Sequence, residues 1–90
     1  MSRQFKILEK ELKALANKRR LMILAFLKKN KEVTVGMIAE EIKLSFKSTS
    51  RHLAVLFSAE VLDRDQRNVE VYYSIARDLS ETLKSILKVL

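Results

Sequence analysis

Residues 44–57 read LSFKSTSRHLAVLF. With Ser45 as its cap, the stretch forms a helix whose Thr49, Leu53, Leu56 and Phe57 share one buried face. Lys47, Ser48, Ser50 and Arg51 gather near its N-terminus and off that face. A helix with one apolar face and a polar, cationic N-terminal turn is suited to docking on a core while reading something else. The plain alternative is a capped surface helix with ordinary exposed polar residues, so the neighbouring segments decide.

Upstream, Thr34 is placed to cap a short helix that turns Met37, Ile38 and Ile42 inward and Glu40 and Glu41 outward. Only two or three residues, with Lys43 at the turn, separate it from the quoted helix. Downstream the period changes to two. Val69, Val71, Tyr73 and Ile75 alternate with Glu70, Tyr72 and Ser74, and Val61 to Gln66 is a partner strand with a turn at Arg67-Asn68. Two helices joined by a tight turn and followed by a hairpin make a winged helix-turn-helix.

The rest of the chain frames this unit. Phe5, Leu8, Leu12 and Leu15 form one helical stripe. Asn17 caps a second helix from Lys18 to about Lys29, apolar all round over residues 21–27 and so expected mid-core. Lys28 and Lys29 suit the negative end of its dipole, and Asn30 is expected to close it in a left-handed conformation. Asp78 and Glu81 have capping-box spacing for a last helix presenting Leu79, Leu83, Ile86, Leu87 and Leu90. The expectation is one domain over residues 1–90, mostly α with a small β-hairpin.

Composition narrows the function. With 18 Lys+Arg against 11 Asp+Glu the chain carries +7, which favours a polyanionic partner, nucleic acid or an anionic membrane. A solvated lysine- and glutamate-rich surface is the bland reading of the same charge. The longest apolar run, LMILAFL at 21–27, is far short of the roughly 18 residues a membrane span needs. MSRQFKILEKELKAL lacks the continuous apolar region of a signal peptide, so a cytoplasmic protein is expected. With no cysteine there is neither a disulfide nor a thiolate site. One histidine and one glycine leave no nucleophile–base pair and no phosphate-cradling loop, so no enzyme is expected.

In a winged helix-turn-helix the second helix of the pair enters the DNA major groove, its N-terminal residues against base edges. Arginine can bond guanine N7 and O6 in a fork, for about 1–3 kcal/mol of discrimination, and short serine hydroxyls serve bases or phosphates. The DNA-contact candidates are Lys47, Ser48, Ser50 and Arg51, with Lys43 at the turn and Arg64 and Arg67 on the wing.

ALANKRRLMILAFL, MIAEEIKLSFKSTSRHLAVLFSAEVL and VEVYYSI together resemble the ArsR/SmtB family of winged-helix repressors, over roughly residues 12–76. The resemblance implies a homodimeric transcriptional repressor that binds an imperfect inverted repeat of double-stranded DNA. It places Lys47, Ser50 and Arg51 where family members touch DNA, and Arg20 at an arginine that would hold a phosphate. Phe46 stands where glutamine is usual; it meets a thymine methyl or tucks into the core, and the core is favoured. His52 matches one of the family's paired histidines and reads as a helix-surface or packing residue.

The departures matter equally. The family's metal-sensing cysteines fall at Thr34 and Gly36 in EVTVGMI (32–38), and residues 77–90 hold no histidine beside Asp78 and Glu81. No metal and no cofactor are therefore expected. Two family glycines are replaced by Lys43 and Glu60, each of which would cost about 1–2 kcal/mol if left-handed, so an altered turn or spare stability is expected. On the wing, Asp63 and Asp65 would repel phosphate, although alternation sends Asp63 and Arg64 to opposite faces.

Phe5, Leu8 and Leu12 on the first helix, with Leu83, Ile86, Leu87 and Leu90 on the last, exceed what so small a core covers and fit a two-fold helical interface. The simpler alternative is that they cover each other within one subunit. Lys84 and Lys88 are too few to make the last helix a membrane binder. The competing reading from another class is a winged-helix module that docks on protein without binding specific DNA.

Overall fold

A computed structural model describes residues 2–90. The chain runs α1 (Ser2–Leu15), α2 (Lys18–Lys29), β1 (Val33–Thr34), α3 (Val35–Ile42), α4 (Phe46–Ser58), β2 (Leu62–Arg67), β3 (Glu70–Ile75) and α5 (Glu81–Lys88). This is a winged helix-turn-helix: α3 and α4 are the helix pair, and β2 and β3 the wing. The sheet holds one strand more than expected. Val33 and Thr34 pair antiparallel with Tyr73 and Tyr72, giving the order β1-β3-β2. Two residues are too short to show a periodicity, which is why the strand does not announce itself in sequence.

Each helix start follows local chemistry. Asn17, Thr34 and Ser45 accept hydrogen bonds from the amides of Arg20, Met37 and Ser48, as their positions suggested. The last helix is capped by Ser80, whose Oγ accepts from the Leu83 amide, so the Asp78–Glu81 box is not used. Asn30 does not become left-handed. It stays extended, and its amide side chain donates back to the Phe26 carbonyl. The hairpin turn is Asn68-Val69 rather than Arg67-Asn68, because Arg67 pairs across the ladder with Glu70; Asn68 takes the positive φ of 55°.

The core gathers Ile23, Leu24 and Leu27 of α2 with Ile38 and Ile42 of α3, Leu53 and Leu56 of α4, Val33, Leu62 and Tyr73 of the sheet, and Val61 just before β2. Helix α2 is central as expected, although Met22 stays exposed. Met37 is exposed too, since α3 buries Ile38, Ala39 and Ile42 and turns Met37 away with the glutamates. Phe57 is half-buried beside its fully buried α4 neighbours.

The outer helices behave differently from each other. Helix α1 buries only Glu11, Ala14 and Leu15, and residues 2–10 are exposed throughout, including Phe5 at 62%. Helix α5 instead folds onto its own chain. Leu83 is 2% exposed and belongs to the core, so it offers no surface to a partner and leaves the expected interface set. Ile86, Leu87 and Leu90 are half-buried against the same core. Lys28 Nζ, expected to serve its own helix end, donates to the Leu87 carbonyl at 2.7 Å and fixes α5 to α2.

Both replaced glycines are left-handed, Lys43 at φ 54° and Glu60 at φ 61°. The turns are not altered. Each forms a complete helix-ending motif: Leu44 N–H reaches Ala39 O at 3.0 Å and Lys43 N–H reaches Glu40 O, while Val61 N–H reaches Leu56 O and Glu60 N–H reaches Phe57 O, both at 3.0 Å. Arg19 adds a brace that sequence reasoning missed. Its guanidinium donates to the carbonyls of Ile42 at 3.0 Å and Lys43 at 3.3 Å, satisfying acceptors at the end of α3.

Candidate nucleic-acid interface

Helix α4 is held from one side only. Thr49, Leu53 and Leu56 sit at 0% exposure against the core, while Lys47, Arg51, Ala54 and Ser58 face solvent and Ser48 and Ser50 lie at the margin. Its N-terminus is shaped by Ser45, whose Oγ takes the Ser48 amide at 3.1 Å. The first turn of α4 carries no acidic residue, so its positive dipole end and Lys47 act together on any nearby phosphate.

Phe46 is not in the core. It is 64% exposed at the first position of α4, ahead of the buried stripe that starts at Thr49. The local reason is geometric. The helix begins immediately after a short break from α3, and its first two residues, Phe46 and Lys47, lie off the face that Thr49 buries.

The basic candidates divide into free and committed charges. Among the described residues Lys43, Lys47, Arg51 and Arg64 have no carboxylate partner. Arg64 rests its guanidinium over the Phe57 ring, 4.1 Å from the centroid, which ties the wing to the C-terminal half of α4. Arg67 is committed: it bonds Glu32 at 2.8 Å and Asp65 at 2.9 Å and lies over the Tyr72 ring. Those two hydrogen bonds, Glu32's first, raise its pKa and hold it charged, but its charge is already neutralised. Arg67 therefore braces the wing through these surface contacts. Asp63, expected to repel phosphate, accepts the Arg77 amide at 3.1 Å across the base of the wing.

Arg20 makes contacts that its sequence position does not suggest. Its Nε donates to Ala14 O at 2.6 Å, one terminal nitrogen lies 3.4 Å from Lys13 O, and the other meets His52 Nδ1 at 3.2 Å. All three nitrogens are used inside the chain. The residue clamps the end of α1 to the middle of α4, so its guanidinium is engaged within the subunit. His52 is accordingly a packing residue, as expected, with its Nδ1 as the acceptor. Burial first, then the charges of Arg20 and Arg19, push its pKa below the ordinary 6.5, so the ring is neutral and the contact persists near pH 7.

At the positions matching the family's cysteines, Thr34 Oγ1 is used as the α3 cap and Gly36 lies exposed within α3. No helix of the described residues is long and apolar enough to cross a membrane.

Comparisons with known proteins agree with this geometry. The transcriptional activator HlyU of Vibrio cholerae is 34% identical over 79 residues, covering 88% of this chain and 69% of HlyU. The transcriptional repressor PagR of Bacillus anthracis is 34% identical over 76 residues, covering 84% of this chain and 76% of PagR. The crystal structure of PagR superposes with a TM-score of 0.80 at 29% identity, over 99% of this chain and 98% of that one. The homodimeric winged helix-turn-helix DNA-binding domain of Mb0332 from Mycobacterium bovis superposes with a TM-score of 0.84 at 27% identity, over 98% of this chain and 78% of that one. The model for bacterial regulatory proteins of the arsR family matches residues 17–64, from the α2 cap through α4 into the wing. With the helix pair, the start of the wing and the free cationic end of α4 all on that stretch, the chain belongs to the arsR family of bacterial regulatory proteins.

Proposed function

We propose that this protein is a homodimeric transcriptional repressor that reads an inverted repeat in double-stranded DNA through α4. The observation that carries the reading is the free, one-sided N-terminal half of α4. Lys47 and Arg51 are exposed and unpaired among the described residues, on a helix whose opposite face is fully buried. In this reading Arg51 meets a base edge, Lys47 and Lys43 meet phosphates, and Ser48 and Ser50 serve either. Arg64 meets phosphate from the wing.

A dimer is supported by α1. The exposed residues 2–10 at its start form a helix with little tertiary support, and Phe5, Leu8 and Leu12 line one side of it. So short a helix is marginal alone in water, and packing against a second copy supplies what is missing. The half-buried Ile86, Leu87 and Leu90 of α5 are the further candidates for that interface.

Fluorescence anisotropy on a labelled duplex, titrated with salt, tests the reading. Roughly two to four phosphates neutralised per protomer give a log–log slope of about −4 to −7 for a dimer. A slope near zero would leave a protein-docking module as the better account. A reporter driven from a promoter that carries the bound site separates repression, in which expression falls, from activation, in which it rises.

A further inference from the structure

We infer that Phe46 is a specificity determinant that selects the 5-methyl group of a pyrimidine, which in unmodified DNA is thymine. The inference rests on the reading of α4 as the DNA-contacting helix. Phe46 is the first residue of that helix, and side chains on a helix lean toward its N-terminus. Its ring therefore projects beyond the helix end, ahead of Lys47 and Arg51, where an inserted helix comes closest to the groove floor. It is 64% exposed and takes no part in the core cluster, so most of its apolar surface is unused by its own fold.

The chemistry leaves one recognisable target. A phenyl ring has neither hydrogen-bond donor nor acceptor, so it cannot read the N7 and O6 of guanine or the N6 and N7 of adenine. Placed against those polar edges it would strip their water and return no bond. The one apolar feature in the major groove is the C5-methyl of thymine, and phenylalanine is among the side chains that pack against it. The cations behind the ring bind the phosphates that bring the groove to it, which argues against an uncharged protein surface as the occupant.

The test uses the full chain and the duplex that it enriches from a random library. Each thymine of that duplex is replaced in turn by deoxyuridine, which removes only the methyl. Binding should weaken about fourfold at one position per half-site, the value of one buried methyl-sized group. Phe46→Ala should bind the thymine and uracil duplexes equally, with an unchanged melting temperature because the ring supports no core contact. At the same position a C·G pair should bind poorly and 5-methylcytosine should recover part of the deficit. Indifference of the wild type to every uracil, or a methyl effect that survives in Phe46→Ala, overturns the inference while DNA binding stands. Failure to enrich any duplex overturns this inference and the DNA reading together.

Discussion

At the scale of single residues, the two left-handed positions store strain that glycine would release. Glu60 at φ 61° is the cleaner case, because its side chain is not a DNA candidate. Glycine removes about 1–2 kcal/mol of left-handed strain and returns about 0.5–1 kcal/mol through the looser unfolded chain. Glu60→Gly should therefore stabilise the protein by about 0.5–1 kcal/mol in urea denaturation, with unchanged DNA affinity. Lys43→Gly should stabilise similarly but weaken DNA binding, since it removes a free cation. The missing glycines were visible in the sequence. What was not visible was the Arg19 brace over the end of α3, because a contact between residues 23 and 24 positions apart leaves no local pattern.

His52 adds a pH dependence whose sign follows from its lowered pKa. The unfolded chain takes up the proton near 6.5 and the folded chain only at lower pH, so folding releases protons in that window. The stabilisation is complete above the unfolded value and is lost as pH falls below about 6.5 toward the folded pKa. Thermal melts between neutral and mildly acid pH should show this decline. In His52→Gln, which keeps an acceptor for Arg20 and does not titrate, the decline should be shallower. Equal slopes would assign the acid sensitivity to other groups. The family resemblance assigns Arg20 a phosphate; its contacts at residues 13, 14 and 52 lie on two other helices, and only folding brings them to it.

At the scale of elements, α4 and the wing make separable contributions. Arg51→Ala should flatten discrimination between the selected site and its variants by about 1–3 kcal/mol. Lys47→Ala should weaken all duplexes alike and lower the salt slope by about 0.9 for each phosphate left unneutralised. Arg67→Ala should leave that slope unchanged, because its charge is already spent on Glu32 and Asp65. Competition anisotropy with selected and scrambled duplexes distinguishes the three. A slope lowered by Arg67→Ala would return Arg67 to the DNA surface. The helix pair and the wing were legible because their periodicities and caps are local. Strand β1 and the Ser80 cap were not. A two-residue strand is defined only by its partner, and Ser80 competed with an equally plausible box starting at Asp78.

At the scale of the whole molecule, the exposed half of α1 and α5, anchored in the core by Leu83, are unequal partners in any dimer. Leu12→Glu should dissociate the protein in sedimentation equilibrium and weaken DNA binding far more than it affects the fold of the remaining body, since Leu12 is exposed in the single chain. Leu83→Ala should instead destabilise the subunit by about 2–5 kcal/mol, the cost of a cavity in its core. An apolar stripe in sequence cannot tell these fates apart. Leu8 and Leu83 carry the same side chain at the same helical spacing, and only the tertiary arrangement decides which one meets its own chain.

The central claim is geometric: two copies of α4 enter one face of a duplex, side by side. Because the chain has no cysteine, Ala54→Cys on the exposed side of α4 accepts a single DNA-cleaving iron chelate. On the enriched duplex the tagged protein should cut in two clusters about 34 Å apart, one helical turn, placed symmetrically about the site's centre. Cleavage at a single cluster, or none from bound protein, would contradict the account.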